Sequence, residues 1–378
     1  MLRKGYRLPF RLLGIPIYLD PTFLIILPLL AWVIGSRLDL YIRLFRLPVD
    51  AQALQEGHTP YLLGLAAALG LFASVLIHEL GHSVVGRGYG VQVKRITLWL
   101  LGGVAQFEEM PRQRGAEAVV AIAGPLTSLA VAAVCSLVAA IVPPAALAVR
   151  FVLGYLVFMN GALAAFNMLP ALPLDGGRVL RSLLALRMPQ LRATQIAAGI
   201  SSAIAIMLGL AGFLTFNLFL ILIAFFVYMA GSAETQNALV AEMLEGIGVE
   251  DLMTRDVQTV PIAMPIADLI QKMLRERHLG YPVVDAAGNL AGIVTLNDLQ
   301  GADASAPVER VMSPTVATIS VRGSALEAFE AMSRNNYGRL VVLGPGRQMV
   351  GIITKTDLIR AVQVRVVGLA IQPEPART

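Results

Sequence analysis

Between Arg192 and Glu234 the chain runs for 41 residues without a charged side chain. A water-soluble domain does not tolerate such a block, because its surface helices each need a polar face. A bilayer demands one. About 20 apolar residues carry a helix across the hydrocarbon, so residues 193–233 are long enough for two spans, with a tight turn expected near 209–217. Four further apolar stretches precede them, over 21–36, 61–86, 118–142, and from Phe151 to a break at Pro170 and Pro173. The first is short, and 13–19 is expected to extend it at the membrane interface. It has no small-residue cleavage site and is expected to be retained. The pattern predicts a multi-pass α-helical membrane protein with about six transmembrane helices.

Charge divides the chain in two. Residues 1–233 hold 17 Lys/Arg against 9 Asp/Glu, a net of +8; residues 234–378 hold 13 against 16, a net of −3, which together make the overall +5. The basic excess lies beside apolar segments, where it reads as membrane-flanking charge and not as a nucleic-acid surface. Arg3, Lys4, Arg7 and Arg11 precede the first apolar stretch with no acid before Asp20, which predicts a cytosolic N-terminus. Six spans return the C-terminus to the same side, so the acidic tail is expected in the cytosol. The expected location is the cell (plasma) membrane. The single Cys135 cannot form an intrachain disulfide.

Between Tyr61 and Gly86 the ionisable side chains are His78, Glu79 and His82, in the order His-Glu-Leu-Gly-His. Ionisable groups inside a bilayer are costly and mark functional sites. At 100° per residue the two histidines stand about 40° apart, one turn from each other on one face. Two imidazoles so placed can share a tetrahedral Zn²⁺, and Glu79 beside the first can act as general base toward a water. The competing reading, histidines paired with Glu79 to satisfy core polarity, fits a charge-free helix less well. A catalytic zinc needs a third protein ligand. His58 and His278 lie in a polar loop and in the tail. Between Arg150 and Arg178 the one charged residue is Asp175, in Asn-Met-Leu-Pro-Ala-Leu-Pro-Leu-Asp-Gly-Gly-Arg (167–178). The prolines stop the helix, and an unwound segment at membrane depth must be buried in protein or line a wet cavity. Asp175 is therefore the predicted third ligand, against a role as a loop cap. Asn160 is expected to bond across helices, and Glu108, Glu109 and Glu117 read as solvated loop charges.

HELGH on an apolar helix, AGP at 123–125 and N-x2-P-x4-DGG from Asn167 together resemble the site-2 protease family of intramembrane zinc metalloproteases, over roughly residues 10–230. The resemblance implies His78, His82 and Asp175 as zinc ligands and Glu79 as the catalytic glutamate. It places Asn167 near the active site, as a contact for substrate or oxyanion, and matches the family's glycine pair to Gly102-Gly103. The PDZ insertion of some members is missing. Residues 91–107 are rich in β-formers and predict a membrane-associated β-hairpin whose edge pairs with an unwound substrate; the plainer alternative is a connecting hairpin without substrate contact.

The tail repeats itself after 59 residues: Val249-Glu-Asp-Leu-Met-Thr254 parallels Val308-Glu-Arg-Val-Met-Ser313, and Gly292-Ile-Val-Thr295-Leu-Asn-Asp298 parallels Gly351-Ile-Ile-Thr354-Lys-Thr-Asp357. Each copy predicts a β-α-β-β-α order with helices over 267–277 and 325–335, and the two copies should pack as one. The pattern resembles a tandem CBS pair, a cytosolic α/β module that often binds adenine nucleotides. That resemblance implies ATP, ADP or AMP as ligand, with Thr295, Asp298, Thr354 and Asp357 at the ribose. The two aspartates also stand where helix N-termini favour acids. The expected division is a zinc metalloprotease domain over 1–233, a linker over 234–247, CBS repeats over 248–305 and 306–365, and a flexible tail over 366–378. The sequence thus predicts a zinc endopeptidase in a lipid bilayer, cutting the transmembrane segment of a single-span membrane protein, regulated by nucleotide and dimeric through its CBS modules. The rival is a CBS-regulated transporter or channel that uses the histidine pair as an ion site.

Overall fold

The computed structural model describes residues 5–44, 54–99, 102–107, 113–335 and 337–371. They form two compact units, Met1–Gln236 and Asn237–Thr378.

In the first unit, β1 (Tyr6–Leu12) and β2 (Ile15–Leu19) lead into α1 (Phe23–Ser36), α2 (Leu38–Leu44) and α3 (Thr59–Gly88). Then β3 (Val93–Trp99) and β4 (Gly102–Phe107) precede α4 (Ala116–Ile141), α5 (Leu147–Asn167), the short α6 (Asp175–Leu184), α7 (Gln190–Leu214) and α8 (Leu218–Leu244). Helices α3, α4, α5, α7 and α8 are long and apolar enough to cross a membrane; α1 and α2, bent by 71°, add a sixth if the pair counts as one span. Their outer faces expose Leu137, Ile141, Met207, Phe213 and Phe219. Such a belt is intolerable in water and natural against lipid tails. Residues 15–19 do not extend the first span. They form β2, because the Leu13-Gly14 turn, with φ of 50° and 78°, folds the chain back as a two-residue hairpin.

The strands make one sheet in the order β1-β2-β3-β4, with β2 and β3 parallel and β3 and β4 antiparallel. Of the expected hairpin, the described residues give two paired antiparallel strands, which belong to a larger sheet than the sequence suggested. Among the described residues β4 pairs with β3 alone, so no further strand lies on its other edge. The turn between them, and Glu108 and Glu109, lie outside the described residues. Glu117 is not a solvated charge: it is 9% exposed and paired with Arg181 of α6.

In the second unit, α9 (Val249–Leu252), β5 (Val260–Pro261), α10 (Ile266–Glu276), β6 (Gly280–Val284) and β7 (Leu290–Thr295) make the first repeat. The second has β8 (Thr318–Ser320), α11 (Ala325–Asn335), β9 (Arg339–Leu343), β10 (Met349–Thr354) and α12 (Lys355–Ile371). Each builds a three-stranded sheet with one parallel and one antiparallel pairing. The order predicted for both copies holds in the second, whereas the first closes on a single 3₁₀ turn at Leu296–Leu299. The stretch expected as a linker is helical up to Leu244 as the end of α8, and the expected tail is helical through Ile371.

The two copies exchange their leading segments. Val249 is buried in the core of the second repeat with Ala328, Met332 and Leu340, and Thr254 pairs with Ile352. Reciprocally, Val308 enters the core of the first repeat with Leu269 and Tyr281, and Ser313 pairs with Ile293. Val249→Ala should therefore destabilise by about 1–3 kcal/mol. Hydrogen exchange should show the loss of protection in β9 and β10, and less in β6 and β7, although Val249 belongs to the first copy by sequence.

Candidate metal centre

Helix α3 delivers both histidines to its buried face, His78 at 4% and His82 at 6% exposure. Their Nε2 atoms stand 3.2 Å apart. The third group arrives from a different helix. After α5 ends at Asn167 the chain folds through Pro170–Leu174, and Asp175 is the first residue of α6. Ser201 of α7 receives the Leu172 N–H at 2.6 Å and ties this loop down. Gly176 and Gly177 lie directly on it: a Cβ on Gly176 would stand 2.3 Å from the Met168 carbonyl oxygen, and one on Gly177 2.4 Å from the Ala171 carbonyl carbon. Any larger residue would lift α6 off the loop and withdraw Asp175. As folded, Asp175 Oδ2 lies 3.2 Å from His78 Nε2 and 3.3 Å from His82 Nε2. This is the group of three His/Cys/Asp/Glu side chains found among the described residues that could hold a metal ion.

The triangle has the dimensions of a metal site. With Zn–N and Zn–O bonds of 2.0–2.1 Å, the edge of a ligand tetrahedron is about 3.3 Å. Three donors at that spacing would occupy three corners and leave the fourth open. The second contacts of the histidines agree. His82 Nδ1 lies 2.8 Å from the Val120 carbonyl oxygen, which can only accept, so Nδ1 carries the proton and Nε2 keeps its lone pair for a metal. His78 Nδ1 lies 2.8 Å from Ser128 Oγ, a fully buried hydroxyl that can accept the equivalent hydrogen bond. Asp175 Oδ2 is buried with no hydrogen-bond partner, which is costly unless a cation completes it. Midway between Val120 and Ser128 sits Gly124, where a Cβ would stand 2.2 Å from His82 Nε2 and 2.7 Å from His78 Nε2. One face of α4, at four-residue spacing, thus supplies a hydrogen bond, an open cradle and a second hydrogen bond. The residues fit a zinc ion.

Glu79, one residue along α3, faces β4. Its Oε2 accepts the Ala105 N–H at 3.0 Å, and a Cβ on Gly103 would stand 2.7 Å from Glu79 Cγ. Gly103 is what lets the strand approach, while Gly102, with φ of 134°, supplies a conformation that side chains disfavour.

Residues 66–147 and 143–210 match the family profile described as peptidase family M50, and 249–305 and 308–364 each match that of the CBS domain. A zinc metalloprotease of Methanocaldococcus jannaschii is 34% identical over 303 residues, which cover 78% of this chain and 84% of that protein. The chain belongs to peptidase family M50. Rip3 of Mycobacterium tuberculosis is 34% identical over 350 residues, 84% of each chain. A solved structure of a site-2 protease from Methanocaldococcus jannaschii is 32% identical and covers 61% of this chain and 95% of its own, with a TM-score of 0.42. As an M50 member with tandem CBS domains, the protein is a membrane metalloprotease of the site-2 type, which decides against the transporter reading.

The M50 enzyme brings together four of the residues expected from sequence, His78, Glu79, His82 and Asp175, and sets Gly103 against them. Asn167 closes α5 with its amide donating to the Leu163 carbonyl at 3.0 Å, a local bond. Asn160 is fully buried and bonds across to Ser74 of α3 at 2.9 Å, as expected. The nucleotide candidates lie in the other unit. Thr295 donates to Asp298, and Thr354 to Asp357, through both backbone N–H and hydroxyl at 2.6–2.8 Å. Sequence reasoning missed Val120 and Ser128; the i, i+4, i+8 alignment with Gly124 of the AGP motif was the available signal. Ser128→Ala should weaken zinc binding about 10–100-fold, and Gly124→Ala should abolish it, both measured by chelator competition on purified protein.

Proposed function

We propose that this enzyme is an intramembrane endopeptidase that cuts the transmembrane segment of a single-span membrane protein. The observation that carries the reading is the juxtaposition of the His78–His82–Asp175 triangle with Glu79 against β4. His78, His82 and Asp175 would hold the zinc ion, which when bound polarises a carbonyl and acidifies a water. The chain's own groups do the rest. Glu79 takes the proton of the attacking water at its carboxylate and returns it to the amine nitrogen as the peptide C–N bond breaks. Ala105 holds one Glu79 oxygen in place and leaves the other for that transfer. A substrate helix has its carbonyls engaged in its own ladder, so it unwinds first. The unwound stretch then adds to the edge of β4 as a further strand, its backbone groups meeting those on that edge other than the Ala105 N–H, which Glu79 holds. Asn167, at the mouth of the Asp175 loop, retains its Oδ1 and one N–H for substrate or oxyanion.

The regulatory half of the proposal is that the CBS pair binds ATP, ADP or AMP through Thr295, Asp298, Thr354 and Asp357, and that the enzyme dimerises through these modules with both termini in the cytosol. The equivalent Thr-x-x-Asp pairs support it, each aspartate already oriented by its threonine.

Co-expressed with a tagged single-span substrate, the wild type should yield a fragment. Glu79→Gln should reduce its rate about 10²–10⁴-fold while zinc stays bound. Equal fragments from both would refute the protease mechanism. Titration calorimetry of the full-length protein should give heat with at least one adenine nucleotide and none in Asp298→Ala/Asp357→Ala; no heat with any of the three in the wild type would remove the regulatory proposal.

A further inference from the structure

A second buried polar cluster lies behind the zinc-ligand set. Arg181 of α6 donates from Nε to Glu117 Oε2 at 3.3 Å and from Nη2 to Glu117 Oε1, a bidentate pair, while its Nη1 reaches Glu234 Oε1 of α8. Arg181 and Glu117 side chains are about 10% exposed, and that of Glu234 is 39% exposed. We infer that Arg181 is a positioning residue for the ligand Asp175, and that Glu234 is the point at which α8 takes hold of the helix that carries it.

Three observations lead there. First, a buried ion cluster is poor at adding stability, since apolar residues of the same volume often do as well; its better-attested use is to fix one arrangement. Second, α6 is only ten residues long and begins on the ligand. Arg181 lies six residues on, about 120° around the helix from Asp175, so these two anchors fix both rotation and axial position of α6. Ser182, back on the Asp175 side, accepts the Ala118 N–H of α4 at 3.2 Å. Glu117, Val120, Gly124 and Ser128 all belong to α4. The same helix that backs the two histidines thereby grips the helix of the third ligand. Third, Glu234 belongs to α8, a helix of 27 residues, and holds Arg181 directly. A shift of α8 along or about its axis therefore pulls on Arg181 through Glu234.

The test measures zinc affinity by chelator competition, with apo-protein thermal stability alongside, on full-length protein in detergent. Arg181→Lys keeps the charge but loses the fork, and should weaken zinc binding about tenfold; Glu234→Gln should weaken it about threefold. Where substrate turnover is followed, kcat should fall with KM unchanged. Leu180→Ala, which trims a neighbouring apolar contact of α6, is the structural control: it should lower apo stability and leave zinc affinity within about twofold. Wild-type zinc affinity in both Arg181→Lys and Glu234→Gln overturns the inference, as does a loss in Leu180→Ala as large as theirs. If Arg181→Lys does not fold, Glu234→Gln on its half-exposed arm decides alone. The inference rests on the zinc reading, which has its own control. His78→Ala/His82→Ala should lose the zinc; if it keeps the metal, the ligand set itself is wrong, whatever Arg181 does.

Discussion

Two imidazoles and a carboxylate converge to 3.2–3.3 Å inside a body of apolar helices, and most of the first unit serves to hold them there. Without a cation these groups are an expense: a desolvated carboxylate oxygen without a hydrogen-bond partner and lone pairs facing one another. With one they become three corners of a tetrahedron. A bound cation would account for α3 presenting His78 and His82 on one face, for α4 opening at Gly124 beside them, and for the interruption of the helices between Asn167 and Asp175 in the middle of an apolar domain. An interrupted helix in lipid is acceptable only where protein covers the broken backbone. Ser201 and the Gly176-Gly177 contacts provide the cover.

The candidate site was legible in the sequence because the bilayer removes the background. Where charges are scarce, His78, Glu79, His82 and Asp175 stand out without any comparison. Glu117 was misread for the converse reason. It comes after Glu108 and Glu109 in a segment that looks ordinary for a loop, and its partner Arg181 and the more distant Glu234 lie far along the chain, so nothing local announces the pairing. Val120 and Ser128 escaped notice because a backbone carbonyl and a serine in an apolar helix carry no sign of the imidazole they meet. Strand β2 escaped because Ile-Pro-Ile-Tyr-Leu beside an apolar run reads as more of the same, until the Leu13-Gly14 turn is taken into account.

The second unit tells a similar story. Its internal repeat, helices and strands could be read from a period of 59 residues, but the missing helix of the first copy could not. Both copies carry the Thr-x-x-Asp signature that starts a helix, and in both it forms the same capping arrangement. Beyond that cap the copies diverge. Lys355 onward continues as α12, whereas the segment after Leu299 turns at Gly301, where φ is 74°, and leaves for the second copy.

The exchange of leading segments gives the CBS pair a topology with a consequence for its integrity. Each repeat borrows a piece of core that precedes its partner in the chain: Val249 lies under the second repeat and Val308 under the first. Breaking the backbone in the exposed turn around Gly301 would sever the connection between them and yet free neither half, since each would still hold a segment the other needs. The two copies are interlocked by folding, and the peptide link that joins them is, mechanically, their least important bond.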